Sequence, residues 1–279
     1  MAAEKFIYKE VSYNQIHDIP TMVSGCMVLL CTCGSCSIVT GIEEIKLRTN
    51  TSAMFLAGTS LFLNDCTTDF YVRLWEVDKE IYTEVASVIP PSLEHFIMNM
   101  PAYDHDSDDI SLKYVKISME MANLLNAEMN LPSALSRIRL FAKSYMLYLF
   151  DYISPRIKTV IEKSTIQQQL YRKFVSDIYQ FCDKERQLDF YADRLCISVR
   201  YLSEIVRRHG DGTPAKQLIS KQLIFKIKTL LSSTDMTVTQ IATKLDFPDQ
   251  SYLSRFFKRY TGYYPTDYRT KMASTLTTR

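Results

Sequence analysis

Apolar and polar residues alternate in short runs between about Tyr8 and Val77, and this period of two predicts strands. The clearest runs are residues 27–32, 37–40, 43–48, 60–64 and 70–77, with Gly34, Gly41 and Gly58 in the gaps, where turns can use positive φ. They predict a small sheet or barrel. From about Lys79 the period lengthens to that of a helix, over residues 112–126 and 134–153. In the second of these, Leu135, Ile138, Phe141, Tyr145, Leu149 and Ile153 form one apolar stripe. The stripe suits packing on the chain's own sheet, a seam between two copies, or both on different faces. Ser154-Pro155 is expected to end that helix, because proline lacks the backbone donor and disfavours helix in its predecessor. A linker is then expected over residues 156–165. An amphipathic helix resumes over residues 166–182, and everything downstream reads as helical. The fold class is therefore α+β. Residues 1–160 form one domain, β-rich to about residue 78 and then helical, and residues 166–279 form an all-α domain.

The all-α part contains a repeat offset by about 50 residues. Its first copy is FYADRLCISVRYLSEIVRRHGDGTP, residues 190–214, and its second is QIATKLDFPDQSYLSRFFKRYTGYYP, residues 240–265. Ala192 aligns with Ala242, Leu195 with Leu245, Tyr201-Leu202-Ser203 with Tyr252-Leu253-Ser254, and Arg207-Arg208 with Lys258-Arg259. Each copy has the layout of a helix-turn-helix, spanning about residues 188–210 and 238–260. A short helix carries a small residue where a second helix approaches, a turn follows a leucine, and Ser198 or Asp249 then caps a second helix. The predicted buried faces are Leu202, Ile205 and Val206, and in the second copy Leu253, Phe256, Phe257 and Tyr260. Facing outward are Val199, Arg200, Ser203, Glu204 and Arg207, then Gln250, Ser251, Ser254, Arg255 and Lys258. These mix donors, acceptors and cations suited to base edges and phosphates. Residues 214–231 read as one helix of about 18 residues, roughly 27 Å long, which would hold two such units about one duplex turn apart.

Charge sharpens this picture. The net charge is only +2, but from Ile166 onward about 19 lysines and arginines face about 11 acidic residues, leaving the first part acidic. A basic half beside an acidic one points to nucleic acid as the partner of the basic half, with Arg207, Arg208, Lys258 and Arg259 as phosphate contacts. The polar start and the lack of a membrane-length apolar run predict a cytoplasmic protein without a membrane partner.

The C-terminal hundred residues resemble the DNA-binding domain of the AraC/XylS family of transcription regulators. Ile241-Ala242, Phe247, the run from Ser251 to Lys258, Gly262, Pro265 and Tyr268-Arg269 carry the resemblance. It implies that residues 199–208 and 250–259 contact bases and phosphates of double-stranded DNA. It further implies activation of transcription, with RNA polymerase as a partner. Asp246 departs from the family's usual turn glycine, although aspartate tolerates the left-handed conformation. Leu223 and Ile227 replace arginine and alanine in the connecting helix, so packing there is expected to differ. For the first half, the strand-then-helix order is similar to the cupin-like domain that such proteins use to bind a small effector and form a homodimer. Phe55, Phe62, Tyr71 and Trp75 either line an effector pocket or fill a core.

Other chemistry is weaker. Seven cysteines without framework spacing are expected to be mostly free thiols. Cys31, Cys33, Cys36 and Cys66 invite an alternative, a DNA-repair methyl acceptor, but paired zinc-ligand spacing is missing, and on a strand Cys31 and Cys33 would share one face. His17, His95 and His105 fall outside the strand runs, so no cupin metal set forms, and His209 at a helix end reads as structural. Neither a phosphate-binding glycine loop nor a nucleophile elbow is present, which argues against an enzyme and calls for no cofactor.

Overall fold

The computed structural model describes residues 5–15, 21–87, 93, 96–98, 100–163, 165–210 and 212–277. Nine strands are described: β1 (Phe6–Ser12), β2 (Thr21–Met22), β3 (Cys26–Cys33), β4 (Ser35–Val39), β5 (Glu44–Arg48), β6 (Thr51–Leu56), β7 (Ser60–Asn64), β8 (Tyr71–Val77) and β9 (Ala102–Asp104). They pair antiparallel into a five-stranded sheet, β1-β8-β3-β6-β9, and a four-stranded sheet, β2-β7-β4-β5. These two antiparallel sheets form a β domain, followed by helices α1 (Lys79–Ala86), α2 (Ile110–Ala127) and α3 (Ala134–Lys163).

The five-stranded sheet is buried on both faces. Met27, Leu29 and Cys31 of β3 point into a core shared with Ile38, Phe55 and Leu61, while Cys26, Val28 and Leu30 point towards the helices and Ile138, Tyr145 and Trp75. A strand covered on both sides needs no polar positions, which is why residues 26–31 are all apolar and the alternation expected over 27–32 does not hold there. Trp75 meets Phe141 and Tyr145 edge-on, with centroids 5.2 and 5.1 Å apart. Ile138 and Tyr145 are buried in this core and Leu135, Phe141 and Leu149 pack against it, so the stripe on α3 covers the chain's own sheet. The side chain of Ile153 lies outside those described.

The expected helix stop at Ser154-Pro155 does not occur: α3 runs through Pro155 to Lys163. A proline inside a helix removes one backbone bond, and the helix can continue when the turns on either side persist. The next helix, α4 (Ile166–Phe181), starts three residues later with a capping box between Thr165 and Gln168.

Six further helices complete the all-α domain: α5 (Leu188–Arg194), α6 (Val199–His209), α7 (Ala215–Ser233), α8 (Val238–Lys244), α9 (Gln250–Thr261) and α10 (Pro265–Thr277). They pack around two apolar clusters. Phe174, Ile178, Tyr191, Ala192, Leu202 and Val206 form the first, together with Leu218 and Ile219 of α7. Ile241, Ala242, Leu253 and Phe257 form the second, together with Leu223, Ile227 and Leu230 of the same helix. The departures at Leu223 and Ile227 thus supply core to the second unit, and α7 belongs to both.

The β domain rests on the middle of α7. Phe62 of β7 lies 5.7 Å from the Phe225 ring, Met22 and Ile42 pack against the two helical clusters, and Thr40 shares a 2.8 Å hydrogen bond with the Tyr179 hydroxyl. Gly41, at φ 95°, sits so close to α7 that a Cβ there would fall 2.4 Å from Gln222 Oε1 and 2.9 Å from Phe225. Only glycine fits. Gln222 is wholly buried, and its amide has no hydrogen-bond partner among the described residues.

Candidate nucleic-acid interface

The two repeats close their first helix in the same way. Leu195 and Leu245 end α5 and α8, and Cys196 and Asp246 follow in left-handed backbone at φ 54° and 53°. The Ile197 amide donates to the Ala192 carbonyl at 3.0 Å, and the Phe247 amide to the Ala242 carbonyl at 2.8 Å. The Cys196 and Asp246 amides donate to Asp193 and Thr243. This pair of bonds is a Schellman motif, which satisfies the last carbonyls and turns the chain sharply.

The second helix of each unit is capped as the sequence predicts. Ser198 accepts from the Tyr201 amide at 3.2 Å and Asp249 from the Tyr252 amide at 2.7 Å, each cap worth about 1 kcal/mol. Leu202, Ile205 and Val206 are buried under α6, and Leu253 and Phe257 under α9. Phe256 is half-buried, while Tyr260 is exposed, with its hydroxyl donating to Ser220 at 3.0 Å. The expected buried face of α9 is thus one residue too wide, because α9 ends at Thr261 and Gly262 turns the chain away at φ 81°.

On the outward side of α6, Arg200, Ser203, Glu204, Arg207 and Arg208 are exposed, and Val199 leans half-buried on the first cluster. Arg208 pairs with Glu204 at 2.9 Å and donates to Gln167 at 3.2 Å, so α4 steadies it from the side. His209 also reaches Gln167, at 3.3 Å. On α9, Gln250, Ser251, Arg255, Lys258 and Arg259 are exposed and Ser254 is half-buried. The structure brings Gln250, Ser251, Ser254 and Arg255 together on one surface groove of about 360 Å³ with Tyr264 and Thr266. The Lys258 ammonium sits 3.9 Å from the Tyr264 ring centre, and the Arg259 guanidinium 5.0 Å from that of Tyr260. α6 therefore offers hydroxyl, carboxylate and guanidinium groups and α9 amide, hydroxyl and guanidinium groups, each with cations alongside, sets able to bond base edges and phosphates.

Two arginines take structural roles that the sequence alone does not assign, although Arg269 is among the residues that carry the resemblance. Arg186, between α4 and α5, donates to the Leu245 and Asp246 carbonyls at 2.5 and 3.0 Å, and its guanidinium lies 4.0 Å from the Phe247 ring centre. It ties the first unit to the turn of the second, and its burial pushes its pKa down. Arg269 donates to the carbonyls of Leu231 and Met236 at 3.0 and 2.6 Å, closing the end of α7. Only the tertiary fold reveals either role, since the acceptors are backbone atoms distant in sequence.

The aromatic residues proposed for an effector pocket separate. A cleft of about 650 Å³ opens between the sheets, lined by Ile7, Val11, Met27, Leu29, Leu61, Phe62, Leu63, Val72 and Leu74, with Lys9, Glu10 and Glu76 among them. Of the four, only Phe62 reaches it. Phe55 is buried in the core between the sheets, Trp75 faces the helices, and the Tyr71 hydroxyl donates to Glu10.

The cysteines do not form a methyl-acceptor site. Cys36 and Cys66 are joined in a disulfide that the spacing did not foretell, and the other five are free. The pairing of β3 with β8 shifts register between Cys31 and Cys33, so Cys31 is buried and Cys33 exposed instead of both sharing a face. Burial pushes the Cys31 thiol up to about 11, away from the reactive thiolate. No group of three or more histidine, cysteine or acidic side chains able to hold a metal exists among the described residues. His105 bridges Ser52 and Ser111 at 2.7 and 2.6 Å, and His17 and His95 lie outside the described residues.

Residues 191–271, which contain both turns and both capped helices, match the family model described as a helix-turn-helix domain. The arabinose operon regulatory protein of Escherichia coli K12 is 31% identical over 97 residues, covering 35% of this chain and 32% of that protein. The C-terminal part of the chain is thus a helix-turn-helix domain similar to part of that regulator. The HTH-type transcriptional activator RhaS of Salmonella paratyphi A is 22% identical over 228 residues, 82% of this chain and 68% of that one. Among solved structures, ToxT of Vibrio cholerae aligns over 96% of this chain and 98% of its own at 10% identity and a TM-score of 0.47. The match to the arabinose regulator spans about a third of that protein's length. These relatives are transcription regulators, not enzymes. Among the described residues no helix is long and apolar enough to cross a membrane.

Proposed function

We propose that this chain is a sequence-specific regulator of transcription, an activator, that reads double-stranded DNA with α6 and α9. The carrying observation is the repeated capped turn, which presents two helices whose inner faces are consumed by core and whose outer faces are polar and cationic. Arg200, Ser203, Glu204, Gln250, Ser251, Ser254 and Arg255 supply the base contacts, with Val199 at the edge of the surface. Arg207, Arg208, Lys258 and Arg259 supply phosphate contacts. In this reading the protein works in the cytoplasm as a homodimer and contacts RNA polymerase. A small effector of largely apolar surface occupies the cleft between the sheets, whose volume lies within the range of small-molecule sites. Selection of bound sequences from a random duplex pool with the full chain tests the proposal. Recovery of a shared motif with two half-sites about 10 base pairs apart is expected, and recovery of random sequence would refute it.

A further inference from the structure

We propose that the Cys36–Cys66 disulfide is a thiol-exchange site, opened by a low-molecular-weight thiol, and that its state sets how firmly the β domain is seated on α7. This goes beyond the proposed function and takes from it only the cytoplasmic setting. Thiols in that compartment are kept reduced, so a disulfide there is normally one that is made and broken in use. The other five cysteines of the chain are free.

The two sulfurs differ in access. Cys36 is 3% exposed, within the core between the sheets. Cys66 is half-buried in a surface loop, where Asp65, Thr67, Thr68 and Asp69 are all exposed. An incoming thiolate therefore meets the Cys66 sulfur. It bonds to Cys66 Sγ, the Cys36–Cys66 bond breaks, and Cys36 leaves with the electron pair and takes up a proton. A second small thiol attacks the mixed disulfide and releases the small-molecule disulfide, so two exogenous thiols are oxidised as Cys36 and Cys66 become thiols. The loop has other ties: the Thr67 amide donates to the Ser35 carbonyl at 2.9 Å, and the Ser35 amide to Thr67 Oγ1 at 2.9 Å. The reduced chain is thus expected to stay folded.

The place of the link in the sheet gives it a consequence. Cys36 and Cys66 stand at one end of the ladder between β4 and β7, whose pairs are Ser37 with Asn64, Ile38 with Leu63 and Val39 with Phe62. At the other end Phe62 lies against Phe225, and the turn after β4 carries Thr40 onto Tyr179 and Gly41 against Gln222. A covalent link beside the first of three pairs holds the ladder in register, and a slip of one residue would turn Phe62 away from Phe225. The seat carries a cost of its own, since it buries Gln222 with its amide unpartnered among the described residues. Separation would return that amide to water. Loss of the link therefore shifts the balance towards the released state, and because α7 serves both helix-turn-helix units, the shift reaches both.

Alkylation of the full chain after acid quenching and denaturation, read by intact mass, tests the site. Five labels are expected after oxidised dithiothreitol and seven after reduced dithiothreitol, both applied to the native chain, with unchanged circular dichroism. The same count in both reagents overturns the exchange. Hydrogen exchange tests the coupling. Amides of residues 60–64 and 215–233 should exchange roughly threefold faster or more in the reduced chain, and in Cys66→Ser under either reagent. Cys33→Ser, at an exposed free thiol, should respond as wild type does. Equal exchange in the two states, or a response that is lost with Cys33 and kept when Cys66 is replaced, overturns the coupling. None of these readouts needs DNA, so this proposal and the reading of DNA by α6 and α9 can fail separately.

Discussion

Cys196 and Asp246, fifty positions apart, hold the same left-handed backbone at the same step of two turns, each beneath an amide that reaches back to an alanine carbonyl. Neither is glycine, so each turn carries a strain of about 1–2 kcal/mol that glycine would lack. Asp246→Gly is expected to raise stability by about 0.5–1 kcal/mol after its extra chain entropy is subtracted. Asp246→Val should lower stability, and urea midpoints on the full chain check both.

Arg186 joins the two units through backbone carbonyls, so its loss leaves the part-buried Leu245 carbonyl without this donor and removes a contact. Arg186→Ala should cost about 1–3 kcal/mol. Arg186→Lys should recover little, because a single ammonium cannot reproduce the planar fork that spans two carbonyls and stacks on Phe247. Thermal unfolding of the three proteins is the measurement.

Much of this architecture is legible in the sequence, for identifiable reasons. The repeat shows because both turns need the same small, apolar and capping residues at the same offsets, and the caps at Ser198 and Asp249 fall where the pattern puts them. The doubly covered strands are less legible. β6 shows no clear alternation, since Ala53 and Phe55 feed one core while Met54 and Leu56 feed the other, and β9 is only three residues long. Pro155 misleads because a local rule cannot see the turns that sustain a long helix. The Cys36–Cys66 pair and the carbonyl partners of Arg186 and Arg269 are products of tertiary placement alone.

Arg255 is exposed on the groove face of α9, and Arg255→Ala should weaken binding to the selected duplex by about 1–3 kcal/mol if the guanidinium reads a base. The loss on random duplex should be much smaller. Equal losses in a fluorescence-anisotropy titration would reassign the side chain to phosphate. Replacing Arg207 or Lys258 should instead weaken all sequences alike and reduce the salt slope by about one.

Glu43, beside Tyr179 and within the field of Arg172, has its carboxyl pushed up by burial, with Arg172 pulling it the other way. The folded chain therefore holds this proton more tightly than the unfolded chain. Its contribution is favourable below the ordinary carboxylate range, near pH 4, and is lost as pH rises through the raised folded value. Glu43→Gln should remove that dependence. Urea midpoints at pH 4 and pH 7 should show wild type losing ground relative to the variant at the higher pH, and parallel behaviour would contradict the assignment.

Because α7 supplies core to both helix-turn-helix units, it acts as a ruler that sets their phase. One residue added to its middle would advance the second reading head by only about 1.5 Å but swing it about 100° around the shaft. On the proposed reading of DNA by both units, the spacing of a bound site is written into the length of one helix, and tolerance for operators of different pitch would have to come from bending the duplex.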